Sequence, residues 1–198
     1  MAKITKKKIL KKASVKKTKK VTTKLPAKLV SYLEKAGVNH KILEHRTVYT
    51  AIDAARTMEK KMEEIAKTLL VKADKDYYIA ILPADQNLDF KKFSQCLVKA
   101  GRPAKVVKIP GEKIMAEVLK IKAGALTAFG TLHKLGVVAE KKLASAKKII
   151  FSTGSFNHSV EMAFKDFAKM ENAILGSIGV KKKIKKQQTM KAKRGKSK

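Results

Sequence analysis

The sequence predicts a mixed α+β domain whose strands form a mixed β-sheet surrounded by helices. Helical and strand-like hydrophobic patterns intermix along the middle of the chain without a strict strand–helix–strand repeat, which favours a mixed sheet over a doubly wound parallel sheet. At 198 residues, the chain is long enough for one domain with a hydrophobic core. Because composition shifts near residues 24 and 181, we expect a globular domain at 25–180 between two basic tails.

The two tails carry most of the excess charge of the chain, whose formal net charge is +31. Residues 1–24 contain eleven lysines, residues 181–198 contain ten Lys or Arg, and neither segment contains an acidic residue. Blocks of like charge repel and bury little surface, so we expect both tails to be disordered. They are typical of polyanion binding, with RNA as the expected polyanion, although a purely solubilising role is the alternative. The RNA-binding candidates are Lys6, Lys7, Lys8, Lys181, Lys182 and Lys183.

Membrane and secretory classes are not indicated by the sequence. No segment approaches the ~18 consecutive apolar residues of a transmembrane helix, and the cationic N-terminus lacks the apolar stretch of a secretory signal. Cys96 is the only cysteine, which rules out an internal disulfide and fits a cytoplasmic protein. Cys96 lies between Phe93 and Leu97 in a helical pattern, so we interpret it as a buried apolar residue rather than a nucleophile.

Capping residues and hydrophobic spacing place the elements of the N-terminal half. Pro26 opens a helix that ends at Gly37. Thr50 and Asp53 have the Thr-x-x-Asp form of a capping box and begin an alanine-rich helix that runs through Met58. The other predicted elements are a strand at 41–45, a short helix at 61–66, and hairpin strands at 68–71 and 77–82 around a turn at 74–76.

The C-terminal half continues the mixed pattern. An amphipathic helix is predicted after Pro83, closing at Gly101, with its apolar side at Leu88, Phe90, Phe93, Leu97 and Val98. The remaining predictions are strands at 105–109, 137–139, 148–151 and 159–162, helices at 111–119 and 164–175, and glycine-bearing turns at 123–130 and 152–158.

Standard catalytic motifs are missing, and two other features remain as candidates. The four histidines, at 40, 45, 133 and 158, lack metal-ligand spacing, so we expect no metal and no cofactor. Lys67 stands at the mouth of an apolar, strand-like run, where it can stay partly desolvated and bind a phosphate or an ester carbonyl; an ordinary lysine at a strand edge is the alternative. The glycine-bearing turns can present backbone N–H groups to a ligand, although many turns contain glycine for structural reasons alone.

Several segments also occur in a characteristic order. They are His45…Thr50-Ala51…Ala54-Ala55, Ala66–Val71, Ile81–Asp89, Gly124–Gly130 and Ile150–Met162. In this order they resemble the YbaK/prolyl-tRNA-synthetase-associated domain family, over roughly residues 28–175.

The resemblance implies a partly barrel-like sheet and a function in translation quality control. Members hydrolyse the ester between a wrong amino acid and the 3′ end of a tRNA, as free proteins or as an editing domain of prolyl-tRNA synthetase. They use no covalent protein nucleophile, and a hydroxyl of the terminal adenosine helps to position water. We therefore expect a trans-acting aminoacyl-tRNA deacylase, a monomer or weak dimer, whose partner is the aminoacylated 3′ end of tRNA, with the ribosome or a synthetase as further candidates. A noncatalytic RNA-binding protein that retains the fold is the alternative.

The resemblance also implies site residues. The family lysine corresponds to Lys67, which would hold the adenosine phosphate or the ester carbonyl. Backbone N–H groups of Gly130 or Gly154 would take the oxyanion, and His158 would orient water or bind the ribose, unless it is simply a histidine in a surface turn. The implied substrate-binding residues are His45, Thr50, Thr68, Gly124, Thr127, Ala128, Phe129 and Ser155. Among these, His45 is also expected to cap a strand end, and Thr50 to cap a helix.

One departure from the family pattern lies in the first glycine loop. The usual Ser-Pro is replaced by Thr127-Ala128, which keeps the hydroxyl but gives up the fixed φ of proline. We expect this change to affect the amino-acid specificity more than the reaction.

Overall fold

The structure, a computed structural model, describes residues 25–121 and 124–182. All of the predicted N-terminal tail and residues 183–198 of the predicted C-terminal tail, with the candidates Lys6, Lys7, Lys8 and Lys183, therefore lie outside the described residues. The helices of the described part are α1 Ala27–Ala36, α2 Ala51–Thr57, α3 Phe90–Lys99, α4 Glu112–Leu119 and α5 Phe164–Met170. Its strands are β1 His40–Glu44, β2 Ala66–Ala73, β3 Asp76–Pro83, β4 Gln86–Leu88, β5 Val107–Lys108, β6 Gly136–Glu140, β7 Ile149–Ser152, β8 His158–Met162, β9 Ile174–Gly176 and β10 Gly179–Lys181.

A mixed sheet forms the centre of the domain, with the strand order β5-β2-β3-β6-β9. Strands β2 and β3 form the predicted antiparallel hairpin, with Lys67 opposite Leu82. Strands β3, β6 and β9 then run parallel to one another. The mixed α+β class predicted from the sequence is confirmed.

A smaller antiparallel sheet, β1-β8-β7, lies beside the start of β2. In this sheet Leu43 is opposite Ser159, and a parallel bridge between Ile65 and Ile150 connects β7 to the residue that precedes β2. This bridge sets the distance between the two sheets at the place where the candidate site forms.

The largest hydrophobic cluster packs around three phenylalanine rings. Phe151 and Phe167 are stacked with their ring centroids 4.1 Å apart, and Phe129 meets Phe167 edge-on at 5.6 Å. Leu29 and Leu33 of α1 are fully buried in the same cluster. Aromatic pairs of this geometry add to the free energy gained by burial, so the loop that carries Phe129 is fixed by the core.

A second cluster covers the opposite face of the central sheet. Successive side chains of a strand point to opposite faces, so Leu70 belongs to the first cluster and Val71 to the second. Helix α3 contributes Phe93 and Leu97 to this second cluster. Cys96 is buried there as well, which confirms the prediction that it is a packing residue.

The predicted helix at 164–175 is too long. Helix α5 ends at Met170, and Ile174 begins β9 instead of the inward face of a helix. Asn172 adopts a left-handed conformation with φ of 47°, which a helix cannot continue through and which asparagine tolerates better than most residues.

The start of the helix predicted between Pro83 and Gly101 also needs correction. Leu88 belongs to β4, and Asp89 caps α3 by accepting hydrogen bonds from the amides of Lys91 and Lys92. The hydrophobic face is narrower than predicted, because Phe90 and Val98 are 43% and 54% exposed. Similarly, the predicted helix at 61–66 is only a 3₁₀ turn at Met62–Glu64, since Ala66 already pairs in β2.

The described residues extend into the segment predicted as the C-terminal tail. Lys181 pairs with Gln86 in the two-stranded sheet β10-β4, and the Lys182 amide donates to the Asp85 carbonyl at 2.9 Å. The buried carboxylate of Glu140 anchors the turn before β10 by accepting from the amides of Ile178 and Gly179 at 2.7 and 2.8 Å. Neither the backbone pairing of β10 nor the buried Glu140 carboxylate produces a hydrophobic pattern in the sequence, so this extension of the domain was not predicted.

Candidate functional site

A cavity of about 340 Å³ opens between β2, the start of α2 and the β7–β8 sheet. Half of the twelve non-tail site residues predicted from the sequence line it: His45, Thr50, Lys67, Thr68, Gly124 and Ser155. Its volume is at the lower end of the range for small-molecule sites. The cavity is therefore large enough for a small acyl group, and larger parts of a ligand would lie at its mouth.

An unpaired strand edge forms one side of this cavity. Strand β5 pairs with β2 only at Lys72 and Ala73, whereas residues Ala66–Leu70 line the cavity. The short β5 thus leaves the first half of β2 accessible to a ligand.

Lys67 is half-buried at this edge, and its ammonium donates to the backbone carbonyl of Gln86. The pKa of Lys67 lies below its ordinary value, first because burial disfavours the charged form and second because the charge of Lys182 repels it. The carboxylate of Asp85 acts in the opposite direction. Lys67 is therefore a partly desolvated lysine, as its sequence position predicts, and its ammonium lies towards the β3–β4 turn.

Thr68 offers the cavity a hydroxyl group that has no protein partner. Its Oγ1 is buried and has no hydrogen bond among the described residues. A buried hydroxyl without a partner costs free energy, and such a group is satisfied when a ligand accepts or donates a hydrogen bond there. Thr68 lines the cavity, which makes it a candidate contact for an ester or a ribose.

His45 and Ser159 form a hydrogen-bonded pair on the cavity wall. The Nδ1 atom of His45 lies 2.8 Å from the Arg46 carbonyl, and Nε2 lies 2.9 Å from the Ser159 hydroxyl. Since a carbonyl only accepts, Nδ1 carries the proton in the neutral ring, and Nε2 accepts from Ser159. Ser159 was not predicted from the sequence, because only the strand register places it beside His45.

Thr50 combines a structural contact with a place at the cavity. Its hydroxyl accepts from the Asp53 amide at 3.1 Å and donates to the Asp53 carboxylate at 2.7 Å. The predicted helix cap is confirmed, and the same residue lines the cavity.

The two glycine-bearing loops meet at the cavity wall. Thr127 and Thr153 form an antiparallel bridge, the Ala128 amide donates to the Ser152 carbonyl at 2.9 Å, and the Ser152 hydroxyl donates to the Leu126 carbonyl at 2.9 Å. These bonds join the loops into one unit, of which Gly124, Leu126, Ser152 and Ser155 face the cavity.

Four predicted residues of the first loop lie in the core and not on the cavity wall. Thr127, Ala128 and Phe129 are buried, and the Thr127 hydroxyl donates to the Ser152 carbonyl at 3.3 Å. Gly130 is packed so closely that a Cβ atom would lie 2.7 Å from both the Leu135 carbonyl and the Val137 side chain. These residues fix the position of the loop.

Gly154 and His158 lie in the second loop, next to the lining residues. The Gly154 amide donates to the Ser152 hydroxyl at 3.4 Å. His158 Nδ1 lies 3.0 Å from Asn157 Oδ1 and 3.3 Å from the Ser155 hydroxyl. Neither residue lines the cavity, so both reach a ligand only if it extends beyond the cavity or the loop moves.

Several apolar lining residues were not predicted from the sequence. Tyr49, Ile109, Met115, Leu126 and Ile150 all line the cavity. Their positions gave no signal, because a cavity wall assembled from five separate segments has no period along the chain. The apolar lining suits an aliphatic or small side chain, and the polar groups suit an ester or hydroxyl bound beside it.

Residues 25–121 and 124–182 contain neither a metal-binding cluster nor a membrane-spanning helix. No group of three or more His, Cys, Asp or Glu side chains is arranged to hold a metal ion in these ranges. None of the helices in this part of the chain is long and apolar enough to cross a membrane.

Comparison with known proteins gives a consistent picture. A model of the aminoacyl-tRNA editing domain family matches residues 45–170. A similar sequence is the prolyl-tRNA editing protein ProX from Acetoanaerobium sticklandii, which is 22% identical over 151 residues, covering 73% of this chain and 89% of the relative.

Solved structures share the fold. A crystal structure of a candidate trans-editing enzyme for prolyl tRNA synthetase superposes with a TM-score of 0.65 at 18% identity, covering 77% of this chain and 94% of the other. A crystal structure of a hypothetical protein superposes with a TM-score of 0.68 at 20% identity, covering 77% of this chain and 99% of the other. At these identities the superpositions establish the shared architecture.

Proposed function

This chain belongs to the aminoacyl-tRNA editing domain family, and on that premise we propose that it hydrolyses the ester bond of mischarged tRNA in trans. The observation that carries the proposal is the cavity itself. It brings Lys67, the unpartnered Thr68 hydroxyl and the glycine loops together, within or beside the span that matches the family.

In this proposal, two parts of the substrate bind to different regions of the cavity wall. The side chain of the wrong amino acid contacts Met115, Leu126 and Ile150, and the ester lies beside β2. The Lys67 ammonium, once it leaves the Gln86 carbonyl, binds the terminal phosphate or the ester carbonyl as a charged donor. Pocket size then selects small amino acids.

The reaction needs positioning more than a strong nucleophile, because an aminoacyl ester is already activated. The oxygen of water attacks the ester carbonyl, the carbonyl oxygen becomes an oxyanion, and the ribose oxygen leaves with a proton as the free amino acid forms. The Thr68 hydroxyl, which lines the cavity without a protein partner, is the proposed donor to the oxyanion. The His45–Ser159 pair orients the ribose hydroxyls, one of which positions the water.

Ester release from mischarged tRNA tests the proposal. The protein is incubated with noncognate tRNA charged with alanine, cysteine or serine. We expect Lys67→Ala to lower kcat/KM by roughly 10- to 10²-fold, because the loss of one hydrogen bond from a charged donor costs about 1.5–3 kcal/mol. Lys72→Ala is the matched control: Lys72 lies on the same strand with its ammonium 5.4 Å from the centroid of the Tyr77 ring, and we expect it to keep wild-type turnover.

A third variant examines the hydroxyl of the site. Thr68→Val keeps the shape of the side chain and removes the hydroxyl, so it should lower kcat with little change in the circular dichroism spectrum. If wild type and Lys67→Ala release amino acid at the same background rate across all charged tRNAs, while both bind tRNA, the protein is a noncatalytic RNA-binding member of the family.

A further inference from the structure

An exposed aromatic side chain stands at the mouth of the cavity. Tyr49 is 69% exposed and lines the cavity at the same time. Its ring is tilted by 51° against the half-buried ring of Phe156, with the centroids 5.2 Å apart. Single exposed apolar residues are common on protein surfaces, but this ring also lines the cavity, and the proposed chemistry does not use it.

The backbone holds Tyr49 in place from both sides. Before it, the Val48 amide donates to the Phe156 carbonyl at 2.8 Å, and the His45 amide donates to the Asn157 carbonyl at 3.0 Å. After it, Thr50 is fixed as the cap of α2. A fixed backbone reduces the conformational entropy that is lost when a ligand orders the ring, which lowers the cost of binding.

We propose that Tyr49 is a stacking platform for an unpaired nucleobase of the tRNA 3′ end. This inference rests on the proposed function and names the part of the substrate that lies outside the cavity. The cavity of about 340 Å³ takes the aminoacyl group. The base of the terminal nucleotide, which carries this group on its ribose, must then lie at the mouth of the cavity. Every base has a π-face, so an aromatic ring binds single-stranded ends without a sequence-specific hydrogen bond.

The surroundings of Tyr49 fit a nucleic acid better than an apolar partner. Arg46 is exposed on the same short loop, and the chain carries a net charge of +31, which attracts phosphates. Aromatic rings beside cationic side chains are the usual composition of single-strand binding surfaces. Ile109 is 49% exposed and lines the same cavity, so a second apolar contact is available to the base.

The chain contains no tryptophan, which allows a direct test by fluorescence. The indole introduced by Tyr49→Trp is titrated with an uncharged acceptor minihelix that carries its single-stranded 3′ end, and with the same minihelix from which that end has been removed. If a base stacks on the indole, the minihelix with its single-stranded 3′ end should quench the fluorescence more than the shortened minihelix does when equal fractions of the protein are bound. Val98→Trp is the control, because Val98 is 54% exposed on α3 and does not line the cavity.

Kinetics with aminoacylated minihelix provide the second test. Loss of one stacked base predicts that Tyr49→Ala raises KM by roughly 5- to 150-fold with a smaller change in kcat, and that Tyr49→Phe, which retains the ring face, returns KM to near the wild-type value. Equal quenching by both RNAs, equal quenching in the Val98→Trp control, or an unchanged KM for Tyr49→Ala would overturn the inference. Because the fluorescence titration needs no hydrolysis, a failure of the deacylase proposal would be seen separately.

Discussion

At the scale of single residues, Lys67 is the one lysine among the described residues that lines the cavity. It is half-buried and its ammonium is held by a backbone carbonyl rather than a carboxylate. A carbonyl neutralises no charge, so the ammonium remains ready to exchange this partner for a phosphate or an ester oxygen.

The lowered pKa of Lys67 predicts a distinct pH dependence of RNA binding. Burial and the charge of Lys182 favour the neutral amine, so the bound ammonium is lost as pH rises through a value below the ordinary lysine pKa of about 10.4. As the pH is raised, the Kd for uncharged minihelix should therefore begin to increase at a lower pH for wild type than for Lys67→Arg, because the arginine stays charged. The measurement is Kd against pH at constant ionic strength; parallel curves for the two proteins would contradict the prediction.

At the scale of elements, the site depends on two loops that are joined to each other before they contact any ligand. The bridge between Thr127 and Thr153 fixes their relative position, and the φ of +84° at Gly154 lets the second loop turn at that point. A side chain at Gly154 would place Cβ 3.1 Å from the Ala125 carbonyl, so this glycine is required by both backbone conformation and space.

Gly154→Ala is therefore expected to lower both stability and activity. Gly37→Ala is the matched control, because Gly37 has φ of +60° and nothing within 4 Å of its Cβ position. The left-handed conformation alone costs about 1–2 kcal/mol for a residue with Cβ, so Gly154→Ala should exceed Gly37→Ala in the loss of unfolding free energy measured in urea. Only Gly154→Ala should also lower kcat, and equal effects of the two substitutions on both quantities would show that the loop contact does not matter.

The elements also show which parts of the structure could be predicted from the sequence. The Thr50 cap, the β2–β3 hairpin and Lys67 at the start of its strand depend on local chemistry, and all three were predicted correctly. Strands β4, β9 and β10 were missed because three residues give no usable period. The Ser159 contact and the Tyr49 position were missed because they arise from strand register and from loops that meet only in the folded chain.

At the scale of the whole molecule, the C-terminal end of the described chain brings positive charge close to Lys67. The last described residue, Lys182, is held to Asp85 by a backbone hydrogen bond, and its charge acts on Lys67. The buried Glu140 fixes the turn that leads into β10. The described chain therefore ends at a residue whose charge acts on Lys67, and at its other end Leu25 packs with α1 against the main core.

This arrangement predicts unequal effects when the two basic ends are removed. Residues 1–24 hold eleven lysines and residues 183–198 hold eight Lys or Arg, so charge alone would make the N-terminal deletion the more harmful one. Because the C-terminal segment follows Lys182, whose charge acts on Lys67, we expect its phosphate contacts to form on the same tRNA arm whose 3′ end enters the cavity. Deletion of 183–198 should then raise KM for charged tRNA more than deletion of 1–24 does.

The salt dependence of tRNA binding measures these phosphate contacts directly. The slope of log K against log salt concentration is negative. It should become less steep by roughly 0.7–0.9 for every phosphate that a deletion leaves without its cationic partner. The cut after Lys182 keeps the β10–β4 pairing, so a change in slope reports the removed charges and not the loss of a strand. An unchanged slope in both deletions would show that the basic ends do not bind the tRNA, and a larger KM effect for the deletion of 1–24 would show that proximity to Lys67 does not decide which end contributes.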